Sequence, residues 1–142
     1  MKLSTKSRYA VEALFYMTLN AKEQPLSIAD IAEATSLSAK YLEQIFLILR
    51  RRGILRAVRG SRGGFILTAL PEEITVGQIV RAIETHVVPV ACVTDLSQCH
   101  SRTRDHCVTR ALWIRMAKAL NDYMDSITFG ALRTVYEGGQ HG

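Results

Sequence analysis

The sequence has no apolar run approaching the roughly 18 residues that span a bilayer, so no membrane span is expected. It has no internal repeats and no low-complexity tracts. No Ser-His-Asp arrangement and no paired carboxylates stand out, so an enzyme is not expected. Thiols are scarce as well. The chain has three cysteines, all between residues 92 and 107. An odd number without a clear secretion signal argues against a disulfide framework and favours metal binding or redox chemistry. The opening MKLSTKSRYAVEALFYMTLN is basic and then apolar, as a leader would be. Glu12 and polar residues interrupt it, and no small-residue cleavage site follows cleanly, so it reads as an amphipathic helix of a cytoplasmic protein.

What is present is a chain of 142 residues, 48% of them hydrophobic, enough for one domain or a small domain plus an oligomerisation element. A net charge of +5 permits a nucleic-acid partner without proving one. Residues Thr5 to Asn20 carry Ala10, Leu14 and Met17 at helical spacing. Ser27, with Asp30 three residues on, opens a second helix. After the turn TSL, Ser38 caps a third helix that Gly53 stops. Two short β-rich runs then flank RGSRGG as a hairpin closed by Pro71. A fourth helix starts near Thr75. A long one starts near Cys107, with Leu112, Trp113, Met116, Leu120, Tyr123, Met124 and Ile127 in a three-four rhythm. Thr128 is expected to cap a short terminal turn before a disordered GGQHG tail.

Helix, turn, helix and hairpin is the order of a winged helix-turn-helix. The expected class is mainly α with a small β-hairpin and a long C-terminal dimerisation helix. The expected units are a DNA-binding domain over 1–85, a sensor loop over 86–107, and a dimerisation helix with tail over 108–142. In the third helix Leu42, Ile45, Phe46 and Leu49 form the face to be buried. Lys40, Glu43, Gln44 and Leu47 form the opposite face, and the three polar residues suit base edges in a major groove. Six arginines (Arg50, Arg51, Arg52, Arg56, Arg59 and Arg62) fall in a stretch with no acidic residue, the local cation surplus that phosphate contact needs. Arg50 to Arg52 also suit a helix C-terminus for its dipole alone. Arg59 and Arg62, on a glycine-rich tip, fit a narrow minor groove. RGSRGG lacks the Gly-Lys-Ser/Thr ending of a phosphate-cradling loop.

The segment CVTDLSQCHSRTRDHC gathers Cys92, Cys99 and Cys107, with His100 and His106 each beside a cysteine. Thiolates are soft ligands suited to iron–sulfur clusters and to zinc. No close Cys-x-x-Cys pair is present, which weakens zinc. A thiol–disulfide switch stays open, since Arg102, Arg104 and Arg110 could lower thiol pKa values. From another class, a cluster-carrying redox protein stays open too, although the basic hairpin argues against it.

MKLSTKSRYAVEAL, YLEQIF, VRGSRGGFIL, ITVGQIVRAIE and ALW together resemble the Rrf-two family of bacterial transcription regulators, over nearly the whole chain. The loop before ALW is similar to the iron–sulfur branch of that family. The resemblance implies a homodimer on a pseudo-palindromic double-stranded DNA operator. It places Glu43 and Gln44 in the major groove and Arg59 in the minor groove. It also implies a cluster on Cys92, Cys99 and Cys107, [2Fe-2S] ahead of [4Fe-4S]. The chain departs from the branch at three points. Seven residues, where many members have five, separate the last two cysteines. Arg110 stands where one type has a histidine ligand, and Arg8 where another uses an acidic residue of the partner. His100 and His106, then Glu12, then Asp105, are the candidates left for a fourth ligand.

Overall fold

The computed structural model describes residues 2–20, 24–99 and 107–140. Helix α1 (Thr5–Asn20) is the central element, and Ala10, Ala13, Leu14 and Met17 along one side of it are fully buried. Helices α2 (Ile28–Thr35), α3 (Ala39–Arg51), α4 (Val76–Glu84) and α6 (Phe129–Gln140) all pack around it.

The caps set these helices where the polar residues predicted them. The Ser27 hydroxyl accepts from the Asp30 N–H at 3.0 Å, and the Ser38 hydroxyl from the Tyr41 N–H at 3.4 Å. Thr75 and Gln78 form a reciprocal capping box at the start of α4. Gly53, at φ 76°, ends α3 in the left-handed conformation that glycine adopts without penalty.

Strands β1 (Leu55–Val58) and β2 (Gly64–Leu67) pair antiparallel, Leu55 opposite Leu67 and Val58 opposite Gly64. The turn between them needs its two final glycines. A Cβ on Gly63 would lie 2.2 Å from the Val58 carbonyl oxygen, and one on Gly64 would lie 2.4 Å from that of Leu26. The bare Gly64 lets Leu26 come alongside the hairpin, where it and Phe65 exchange backbone hydrogen bonds of 3.1 and 2.8 Å.

Helix α5 (Val108–Ser126) leaves the body and packs on α4. The chain then returns: Val76 N–H donates to Ile127 O, and Phe129 N–H to Ile74 O, both at 2.9 Å. The short terminal turn expected after Thr128 is instead the 12-residue helix α6, which takes in Gly138 and Gly139. Thr128 does cap it, accepting from Ala131 N–H at 3.0 Å. Tertiary packing outweighs the glycine penalty here. Phe129 is 1% exposed, and Leu132 packs against the same core. His141 lies outside the described residues.

Candidate functional site

The amphipathic pattern of α3 resolves into two faces. Leu42, Ile45, Phe46 and Leu49 are fully buried, and Lys40, Glu43, Gln44 and Leu47 are exposed. The Phe46 ring meets the Phe65 ring of β2 edge-on, with centroids 5.0 Å apart. The helix and the wing are therefore fastened to one another. The Thr68 hydroxyl closes the base of the wing by donating to Gly53 O at 2.6 Å.

Arg50, Arg51, Arg52, Arg56, Arg59 and Arg62 are all exposed. Among the described residues none of them is in an ion pair, whereas Arg81, Lys118 and Arg133 are. Uncompensated guanidinium groups around an exposed helix face make a surface suited to a polyanion.

A second region joins α1 and α5 to the end of α4, where the cysteine loop begins. Glu84, at the end of α4, accepts from Ser4 N–H at 2.8 Å and from the Ser7 hydroxyl at 2.6 Å. It thereby does for α1, from across the fold, what the glutamate of a capping box does for its own helix. These bonds, led by those from Ser4 and Ser7, hold its carboxyl below the ordinary value of 4.5. The next residue, Thr85, sits at φ 67° and ψ −56°, and His86 N–H donates to Glu84 O at 2.7 Å. This is a γ-turn of the rare, strained hand. Beyond it Val87 is buried with Val80 and Met124, and its carbonyl accepts from Asn121 Nδ2 at 2.8 Å. Arg81 completes the tie from α4 to α5 through Asn121 and Asp125.

The cysteine loop begins there. Cys92 lies in a 3-10 turn, Ala91–Val93, and is 8% exposed. Cys99 ends a second turn, Leu96–Gln98, which Asp95 caps through Ser97 N–H; the Ser97 hydroxyl and amide hold the Asp95 carboxyl below its usual range. Cys107 is the N-cap of α5, its sulfur accepting from Arg110 N–H at 3.4 Å. No disulfide joins the three among the described residues. Three soft thiols in one loop are a donor set that fits an iron–sulfur cluster. Among the described residues, no three His, Cys, Asp or Glu side chains are gathered as for a metal. His100, Asp105 and His106, like Arg102 and Arg104, lie outside the described residues. Glu12 is exposed on α1, beside Arg8 at a cleft against α6.

The sequence reading missed the Glu84–Thr85 joint and any contact made by Arg110. The start of α4 near Thr75 is legible in the sequence, yet nothing in the local sequence marks a positive φ at Thr85.

A helix-turn-helix with an exposed second helix and an arginine-tipped wing fastened to it defines a winged-helix, DNA-binding transcription regulator. The comparisons make this specific. The model of the Rrf2 family, described as an iron-dependent transcriptional regulator, matches residues 3–134, and the chain belongs to that family. It is 39% identical over 132 residues to the HTH-type transcriptional regulator IscR of Aliivibrio salmonicida, covering 93% of this chain and 77% of that one. Its fold is similar to that of T. potens IscR, with a TM-score of 0.80 at 34% identity over 99% of this chain and 91% of that one. It is also similar to CymR, the global cysteine regulator of B. subtilis, with a TM-score of 0.78 at 33% identity over 95% and 98%. The family is one of regulators, not enzymes. Among the described residues no helix is long and apolar enough to cross a membrane.

Proposed function

We propose that the protein is a cytoplasmic homodimeric regulator whose operator binding is set by an iron–sulfur cluster, [2Fe-2S] ahead of [4Fe-4S], on Cys92, Cys99 and Cys107. The observation that carries this is the placement of the thiols. Every cysteine of the chain lies in the one loop that runs from the α4–α5 tie to the first turn of α5. When bound, such a cluster supplies a centre that responds to iron supply, oxidants or small reactive molecules.

The chain's own residues supply the rest. Glu43 and Gln44 read base edges in the major groove, with Lys40 beside them. Arg59 and Arg62 on the wing enter the minor groove, and Arg50 contacts phosphate. Along α5, Leu112, Met116 and Tyr123 are 50, 46 and 65% exposed at helical spacing. A second copy covering this stripe gives a two-fold dimer suited to a pseudo-palindromic operator. The sensor loop over 86–107 lies between the reading unit and this dimer helix.

A thiol-based switch on the same cysteines is the second reading. It is favoured by the likeness to a cysteine regulator.

The test is anaerobic purification, with iron, sulfide and visible absorbance measured for the native protein and for Cys92→Ala, Cys99→Ala and Cys107→Ala. Operator binding is followed at physiological salt. Visible absorbance lost in all three variants, with operator affinity changing alongside it, is the expected result. A colourless protein whose affinity still responds to a thiol oxidant replaces the cluster with the switch. A colourless protein with constant affinity overturns both.

A further inference from the structure

Arg110 stands at the third position of α5, and a cation in the first turn of a helix works against the macrodipole. Helix stability therefore does not explain it. Its contacts do. The guanidinium donates from Nε to Cys92 O at 3.1 Å and from Nη2 to Val93 O at 3.3 Å, while its backbone N–H donates to the Cys107 sulfur at 3.4 Å. The two carbonyls are the last of the 3-10 turn. They are left without partners inside that turn, because Thr94 and Asp95 N–H both go to Ala91 O. A guanidinium puts donors on separate nitrogens in one rigid plane and so meets two adjacent carbonyls in a fixed fork; an ammonium has all its donors on one atom at the end of a flexible stem, and an imidazole has its two on opposite sides of the ring. Arg110 is half-buried, as this double grip requires.

We infer that Arg110 is a positioning residue, a clamp that holds the turn bearing Cys92 against the first turn of α5, the helix that Cys107 caps. The clamp is local and stands on its own geometry. Its role in presenting ligands rests on the cluster reading above. A guanidinium stays protonated and offers no electron pair to a metal. The position thus gives the loop shape and positive charge but no donor atom.

The experiment uses the full-length protein, freed of metal by a chelator and kept reduced, with Arg110→Met and Arg110→Lys. Each cysteine's alkylation rate is read by peptide mass spectrometry, with circular dichroism to confirm that the fold is kept. Losing two hydrogen bonds should raise the Cys92 rate about tenfold in the Met variant, with Cys99 unchanged. The Lys variant keeps the charge but not the fork and should lie close to the Met variant. After reconstitution, the visible circular dichroism of the Met variant should also differ from that of the native protein. An unchanged Cys92 rate in both variants overturns the clamp. Equal acceleration at Cys92 and Cys99 also overturns it, because that marks general loosening. A native protein that takes up no cluster, while Cys92 is still released by Arg110→Met, leaves the clamp standing and removes only its role in ligand presentation.

Discussion

Glu84→Gln tests how firmly the body is joined at the point where the cysteine loop begins. The substitution keeps the shape of the side chain and removes its charge. Two hydrogen bonds then change from charged to neutral, one to Ser4 N–H at the α1 terminus and one to the fully buried Ser7. A bond to a charged partner stabilises by about 1.5–3 kcal/mol and a neutral one by about 0.5–1.5, so each bond loses about 1 kcal/mol. The Ser4 bond is solvent-exposed and is discounted, while the lost attraction to the α1 dipole adds a few tenths to the loss. The net loss is about 1–2 kcal/mol. Urea unfolding at pH 7 should show it as a midpoint lowered by about 0.5–1 M at unchanged slope. The pH dependence has a definite sign. The folded-state pKa of Glu84 is depressed, so its contribution is complete above the ordinary value of 4.5 and is lost as pH falls through the lower folded value. The gap between native protein and variant should therefore be largest near neutrality and should shrink below pH 4.5. A midpoint unmoved at pH 7, or a gap that persists undiminished in acid, refutes the reasoning.

Three further outcomes are expected. Arg59→Ala should weaken operator binding by about 1–3 kcal/mol in anisotropy titrations, whereas Glu43→Ala should chiefly relax sequence preference; if neither parameter moves, the docking is wrong. Met116→Glu, which places a charge in the exposed stripe of α5, should shift the mass seen by light scattering at micromolar concentration from dimer to monomer. Thr85→Gly should raise stability in urea by about 1 kcal/mol, because relief of about 1–3 kcal/mol of positive-φ strain exceeds the added entropy of an unfolded glycine.

The features legible in the sequence are those with local causes. Ser27, Ser38 and Thr75 announce helix starts because their hydroxyls satisfy amides only three residues away. The two faces of α3 follow from the 3.6-residue period, and the wing from the glycines of RGSRGG. What escaped is non-local. Helix α6 reads as a tail because Gly138 and Gly139 weaken the local signal, while Phe129 and Leu132 find their partners on α1 and Pro71–Glu73. Glu84 caps a helix 80 residues away, and Arg110 bonds to carbonyls 17 and 18 residues before it. The Leu26–Phe65 pairing depends on a bare Gly64, whose partner nothing in the local pattern names.

The Phe46–Phe65 ring contact has a mechanical consequence. Together with the Leu26 pairing and the Thr68 closure, it makes α3 and the wing a single reading head whose internal spacing is set by packed rings and backbone bonds. No signal from the cysteine loop can tune the distance from groove-reading helix to wing without breaking core contacts. In the proposed dimer, control over DNA is left to how the two heads are set relative to one another, their separation and tilt, judged against half-sites spaced about 34 Å, one turn of the double helix, apart. In such a machine the operator acts as a ruler: a site with one base pair inserted between its halves should favour a different state of the protein from the native site, though every base contact stays the same.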